Sequence, residues 1–344
     1  MTPDEGAGAG SARALASPVH VCVCPDTLKN VLSAREAARW LAVGLRMFGV
    51  NAVELPCADG GEGTLEAIAV ASGGKWHLAD TVDAFGRPRV ARWLELSDNT
   101  AVVEAAEAIR LDPRRLDPFV ASSRGLGKVV NSVGRPKRLI VALGGTANVD
   151  GGAGLLEEVE ALPAPTVVAY DVAVPLVDAA RVFAAQKGAN EDQVPELERR
   201  LGAIDRLAPY AHLPGAGAAG GLGAALAALG AELRPGADVV LDLIGFDPTG
   251  FDLVISGEGT VDGTTGLGKA PGKIVARCSA VGVPCLVFGG RVLEPLPGAI
   301  TVALSGDPGR ARADLLALGE RIGRRLVALG GLRFDSGGAP TVVW

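Results

Sequence analysis

The sequence has little of what several common chemistries depend on. Only three of its 344 residues are histidine, His20, His77 and His212. They are scattered without metal-ligand spacing or a serine-elbow context, which excludes a histidine triad and a histidine zinc site. Any general base is therefore expected to be a carboxylate. Aromatic residues make up 4% and the formal net charge is -6, so nucleic acid would find neither stacking platforms nor a basic face. The five cysteines, Cys22, Cys24, Cys57, Cys278 and Cys285, form no C-x-x-C pair, and four lie in or beside apolar, strand-like runs. They read as reduced core residues of a cytoplasmic protein, not as a disulfide frame or a zinc site. The first seventeen residues are acidic and rich in small side chains; they lack the basic start and apolar block of a signal peptide and read as a disordered tail. No stretch suits a bilayer: the most apolar one, residues 213–231, is mostly Gly and Ala and opens on Leu-Pro.

Glycine is what the chain has in excess. There are 48 in 344 residues, roughly twice the usual share of about 7%, with no collagen period. That predicts many close backbone approaches, as phosphate-binding loops require. Hydrophobic residues at 48% and charged residues at 21% are ordinary globular usage, and the length allows one large α/β domain or two.

Residues 19–24 form a short β-branched run ending at Pro25. A helix follows, announced by the Ser33/Glu36 capping box, with Ala37, Trp40, Leu41, Leu45 and Phe48 at helical spacing and Gly49 closing it. Residues 50–55 make a second strand, giving a βαβ unit and hence a parallel sheet. The same grammar, an apolar strand stopped by glycine, recurs at residues 139–143, 251–256 and 283–288. A late strand at 300–304 and an amphipathic helix at 310–329 return to the sheet. Residues 75–82 and 89–96 alternate instead, as half-exposed antiparallel strands do. The expected architecture is a Rossmann-like parallel-sheet α/β domain, residues 18–72 plus 270–344, with a second mixed α/β domain, residues 73–269, inserted into it. Ligands of open α/β sheets bind at the carboxyl ends of the strands, where these glycine loops would gather.

Four loops concentrate glycine: residues 58–64 (ADGGEGT), 144–152 (GGTANVDGG), 215–223 (GAGAAGGLG) and 257–263 (GEGTVDG), the last running on to Gly268-Lys269. Glycines let backbone N–H groups approach phosphate oxygens, and a nearby Asp or Glu can hold magnesium or take a hydroxyl proton. Such loops suit phosphoryl transfer. Two familiar patterns lack their context. Gly215 to Gly220 fits G-x-G-x-x-G, but Ala-His-Leu-Pro precedes it where a strand is needed. Gly263 to Lys269 resembles a P-loop, but Ala270 stands where the magnesium-binding hydroxyl would be. Beyond these loops, Asp26 with Lys29 and Asp171 with Lys187 are charged pairs that could face a cleft, and Ser122-Ser-Arg-Gly125 could cap a helix.

In order, these segments resemble the type 1 glycerate kinase family. The family pattern A-P-D-S-F-K appears as Cys24-Pro-Asp-Thr-Leu-Lys29, and A-D-G-G-E-G-T is intact from Ala58. G-G-S-A-T-x-D-G-G is close to residues 144–152, and C-D-V-x-N-P-L becomes Tyr170-Asp-Val-Ala-Val-Pro-Leu176. F-G-P-Q-K-G-A matches residues 183–189 and G-A-A-G-G-M-G residues 217–223; G-E-G-R-I-D and G-K-A-P match residues 257–262 and 268–271. The chain departs from the pattern at Thr260 (family Arg), Val174 (Asn) and Leu28 (Phe), and it lacks a segment of some tens of residues between Leu162 and Val167.

The resemblance implies an ATP- and Mg2+-dependent kinase that phosphorylates D-glycerate, with 2-phosphoglycerate the implied product, in a cleft between domains. Lys29, Lys187 and Lys269 would meet the phosphates or the glycerate carboxylate. The loops carrying Gly60, Gly61, Glu62, Gly63 and Thr64, Gly144, Gly145, Thr146, Gly151 and Gly152, Gly220 and Gly221, and Gly257, Glu258 and Gly259 would hold the remaining oxygens, with Asp26 and Asp171 alongside. Asp59, Asp150 and Asp262 would divide proton acceptance and metal binding, with Asp150 and Asp262 the expected Mg2+ ligands and Asp59 part of the acceptor site. Partners would be ATP and a small hydroxy acid, with neither nucleic acid nor membrane; a homodimer is left open. Two other readings also stay open here: a nucleotide-dependent oxidoreductase using residues 215–220, and a non-catalytic glycerate or nucleotide sensor that keeps the cleft.

Overall fold

The computed structural model describes residues 19–328; the expected tail at residues 1–17 and the last residue of the expected 310–329 helix lie outside them. Strand β1 (His20–Val23), helix α1 (Ala34–Arg46) and strand β2 (Asn51–Glu54) form the anticipated parallel unit, in register from His20 opposite Asn51 to Val23 opposite Glu54. The capping box starts α1: Ser33 Oγ accepts from the Glu36 N–H at 3.2 Å, and the Glu36 carboxylate accepts from the Ser33 N–H.

The sheet is completed by β9 (Leu253–Val261), β10 (Cys285–Val292) and β11 (Ile300–Ala303), in the order β11-β10-β9-β1-β2, every pair parallel. Helix α10 (Ala270–Val281) connects β9 to β10, and α11 (Ala311–Ala328) packs on α1. One face buries Cys22, Val254 and Val287; the other buries Val21, Ile255 and Phe288. This Rossmann-like sheet takes the chain back earlier than the expected boundary at residue 269, because β9 pairs with β1 (Val21 opposite Leu253). A run buried on both faces needs a neighbour on each side, and β9 finds β1 and β10 there.

The second sheet is mixed. Strands β3 (Lys75–Val82), β4 (Pro88–Glu95) and β5 (Thr100–Glu104) are antiparallel, and β6 (Arg138–Ala142), β7 (Thr166–Tyr170) and β8 (Glu232–Pro235) continue it in parallel, in the order β3-β4-β5-β6-β7-β8. Helix α2 (Thr64–Ser72) leads into it from the first sheet. Helices α3 (Ala105–Ile109), α4 (Arg124–Ser132), α5 (Ala153–Glu158), α6 (Ala179–Phe183), α7 (Val194–Gly202), α8 (Ala218–Ala228) and α9 (Gly236–Leu243) follow in chain order. Ser123 precedes α4 but caps a different helix: its Oγ accepts from the Leu155 N–H in α5 at 2.9 Å. All five cysteines are buried and unpaired. Among the described residues, no helix is long and apolar enough to cross a membrane.

Candidate active site

A cavity of about 930 Å3 lies where the loops after β1 and β2 and the ends of β9 and β10 meet the ends of β5, β6 and β7. Of the residues expected at the site, Asp26, Lys29, Asp59 and Asp171 line it. So do Gly61, Glu62, Gly63 and Gly145, and Glu258, Gly259 and Lys269 from the β9 side.

Asp26 is placed by its backbone, whose N–H donates to the Gly257 carbonyl at 2.8 Å and so lays the β1 loop across β9. Its side chain is 6% exposed. Burial, with the negative charge of Asp59 behind it, pushes its carboxyl well above the usual range. Asp59 takes the Gly61 N–H at 3.1 Å. Burial pushes it up as well, opposed by that N–H and by the charges of Lys269 and Lys29. Asp171, just after β7, is raised to about 6 by burial and then by Asp59. Three carboxylates from three loops thus share one electrostatic neighbourhood, a pattern typical of sites that move protons or bind cations.

On the β9 side, Glu258 accepts from the Thr265 hydroxyl at 2.6 Å and from Lys269 Nζ at 3.2 Å. Burial raises its carboxyl despite both donors. Lys269 stands at the N-cap of α10 and also lies 3.8 Å from Asp262. Asp262 itself turns to Thr264, whose hydroxyl and N–H hold its carboxyl below the usual range. It does not line the cavity.

Glu104 lines the cavity although no motif pointed to it. It ends β5, is 4% exposed, and accepts the N–H groups of Gly63 at 3.2 Å and Leu65 at 3.1 Å. It therefore fixes the start of α2 and the loop that carries Asp59. Burial pushes it up to about 7. Arg92, paired with Glu107 and Glu66, and Arg110, paired with Glu62, complete that wall.

Several expected residues have structural partners off the cavity. The Gly144 N–H donates to the Gly60 carbonyl at 3.1 Å, and a Cβ on Gly144 would sit 2.3 Å from Gly61 Cα. These glycines let the Asp59 loop touch the end of β6. Thr64 donates its hydroxyl to the Gly61 carbonyl, and Thr146 is buried. Gly257 packs within β9 against Phe288. Gly151 donates to Gly220, and a Cβ on Gly220 would meet the Asn148 carbonyl at 2.2 Å; Gly221 packs on Gly151 and Gly152 on Ala225. Lys187 is buried, donates to the Asn148 carbonyl at 2.7 Å and is pulled down to about 8 by burial.

Asp150 accepts five hydrogen bonds, from the Ser123 N–H and hydroxyl, the Asn148 amide and the N–H groups of Gly152 and Gly154. With Asp150 so engaged and Asp262 turned to Thr264, the expected metal pair does not form one site on the cavity. Among the described residues, no group of three or more His, Cys, Asp or Glu side chains is placed to hold a metal ion. The G-x-G-x-x-G segment is preceded by a 3-10 turn (Asp205–Tyr210), not a strand, and Gly215 and Gly217 pack on Tyr170 and Pro175. The oxidoreductase reading loses its support there.

A family model described as the glycerate kinase family matches residues 21–164 and 160–301. The two stretches meet in the short connection between α5 and β7, where the sequence pattern lacks a segment. The chain is similar to the glycerate 2-kinase of Escherichia coli (strain K12), with 34% identity over 305 residues that span 74% of this chain and 80% of the relative. It is also similar to the glycerate kinase of Bacillus subtilis (strain 168), with 31% identity over 326 residues that span 80% and 85%. In fold it is similar to a Salmonella typhimurium LT2 crystal structure assigned as glycerate kinase 2, with TM-score 0.77 and 27% identity, covering 91% of this chain and 99% of that one. With its glycine loops and acidic cavity in place, the chain belongs to the glycerate kinase family of enzymes.

Proposed function

We propose that the enzyme transfers the γ-phosphoryl group of ATP to a hydroxyl of D-glycerate, giving 2-phosphoglycerate, in the cavity between its two sheets. The observation that carries this reading is the convergence of Asp26, Lys29, Asp59, Asp171, Glu258 and Lys269, from loops far apart in the chain, on one cavity of about 930 Å3. Phosphoryl transfer asks a protein mainly for positioning and charge neutralisation. Lys29 and Lys269 supply positive charge, and the amides of Gly145 and Gly259 are the backbone donors at hand.

Asp59 accepts the proton of the acceptor hydroxyl. Its position is set by the Glu104 strut below the loop, and its basicity is raised by burial. Mg2+, when bound with the nucleotide, neutralises phosphate charge, and such sites need only one or two carboxylates beside phosphate and water oxygens. Asp26 fits that requirement: its Oδ1 takes the Thr27 N–H, and its Oδ2 accepts no hydrogen bond from a described residue. Approach of the two sheets over bound substrates would exclude water, the competing phosphoryl acceptor. Five unpaired, buried cysteines suit a reducing cytoplasm.

A coupled ADP-release assay across D-glycerate, L-glycerate and related hydroxy acids, with product position read by phosphorus NMR, tests the proposal. D-glycerate-dependent ADP release with phosphate on the 2-hydroxyl is expected. ADP release that no hydroxy acid stimulates would refute it.

A further inference from the structure

We propose that Arg291 is a phosphate-binding arginine for the nucleotide, presented by β10 at the place where the family pattern carries an arginine on β9. The inference rests on the ATP-dependent reading above. Arg291 lies opposite Thr260 in the β9/β10 register, and Gly289 lies opposite Glu258. Alternate residues of a strand share a face, and in-register neighbours share it too. Glu258 and Thr260 on β9 therefore share a face with Gly289 and Arg291 on β10, the face where Lys269 meets Glu258. Thr260 and Arg291 both line the cavity.

The Arg291 side chain is exposed and makes no hydrogen bond or ion pair with any described residue. Of the other cavity cations, Arg92 is engaged by Glu107 and Glu66, Arg110 by Glu62 and Lys269 by Glu258, whereas Lys29 and Arg35, like Arg291, have no ion pair with a described residue. Lys269 shares its charge with Glu258, so a polyphosphate entering beside Glu258 gains from a further cation on the same face. A guanidinium suits that need, because its planar fork can donate two parallel hydrogen bonds to one phosphate. Its surroundings also favour phosphate over a carboxylate. Gly259 and Gly290 flank it on the cavity wall, and the twelve-residue α10 starts just after Lys269 on the same side of the sheet.

The test uses Arg291→Ala, Arg291→Lys and the double variant Arg291→Ala/Thr260→Arg in the full chain. It reads steady-state constants, the Kd of the non-hydrolysable analogue AMP-PNP by calorimetry, and the thermal midpoint. For Arg291→Ala, the KM for ATP and the Kd for AMP-PNP should rise about 10- to 100-fold, with the KM for glycerate, kcat and the thermal midpoint nearly unchanged. Thr260→Arg should recover most of the nucleotide affinity from the neighbouring strand, and Arg291→Lys should retain part of it.

Unchanged nucleotide constants, a rise confined to the glycerate KM, or a loss that neither Thr260→Arg nor lysine relieves would overturn the proposal. The binding arm keeps the two readings apart. A wild-type protein without kinase turnover refutes the proposed function, while its AMP-PNP titrations still decide Arg291. Normal turnover in Arg291→Ala at low ATP refutes only the arginine.

Discussion

Glu104→Gln separates what the site needs from what the fold prefers. Glu104 is 4% exposed, and its two oxygens each take one N–H from the start of α2. Its proton is held up to about 7 against an ordinary 4.5, chiefly by burial. That difference corresponds to about 3 kcal/mol, at about 1.4 kcal/mol per pH unit. Below pH 4.5 the group is protonated in the folded and unfolded chains alike, and it costs nothing. Between 4.5 and 7 the unfolded chain ionises first, so stability falls as pH rises. Above 7 the loss is complete.

Glutamine does not ionise. It turns an NH2 toward one of the two N–H donors, much as the protonated acid turns its hydroxyl, so the variant should match the wild type near pH 5. It should then gain on the wild type by up to about 3 kcal/mol by pH 8.5. Urea unfolding midpoints at constant m-value across that range measure the difference directly, and other titrations largely cancel in it. The same variant should lose kcat/KM, since the charged carboxylate fixes the loop that carries Asp59. A stability gap that stays constant with pH, or that moves in favour of glutamate as pH rises, would refute the reasoning.

Asp59→Asn and Lys269→Ala should each leave the fold intact and lower kcat/KM at least about a hundredfold, or about 2.7 kcal/mol; near-wild-type turnover in both would reject the site. Gly144→Ala should destabilise by about 1–3 kcal/mol and reduce activity together, because its Cβ would lie 2.3 Å from Gly61 Cα and 2.9 Å from Asp171; chemical denaturation beside kinetics checks both. Asp171, raised to about 6, should make log kcat/KM fall as pH drops through 6, and Asp171→Asn should abolish that limb of the profile. Asp150→Asn should lose stability through its five hydrogen bonds while the KM values stay put; a selective loss of kcat with an unchanged unfolding midpoint would return Asp150 to the chemistry.

Much of the first sheet was legible because local and tertiary signals agree there. The Ser33/Glu36 box, the 3.6-residue spacing of α1 and the glycine stops after β-branched runs point to the same parallel unit. The alternation of β3 and β4 was visible for the complementary reason, since each strand faces water on one side. Strands β5, β7 and β8 gave no such signal. The first is buried at every residue, so nothing alternates; β7 follows a Pro-rich turn; and β8 spans only four residues. The segment around β9 carries the apolar run of a strand, but no pattern within one strand says which sheet will accept it.

The site was legible to a different depth. Asp59-Gly60-Gly61 and Asp150-Gly151-Gly152 are the same tripeptide, and local physics treats them alike: each aspartate takes the N–H two residues on. What distinguishes them arrives from elsewhere in the chain. Ser123, Asn148 and Gly154 converge on Asp150 and fill its remaining acceptor capacity. Asp59 receives no such company and keeps an oxygen toward the cavity. Glu104 is the converse case, a strand-end acid in no motif whose donors exist only once α2 has docked. A glycine-flanked carboxylate in the sequence therefore marks a loop able to bind an anion or a cation. Whether it does so depends on whether folding leaves its lone pairs unclaimed, and that is a property of the docked neighbours, not of the tripeptide.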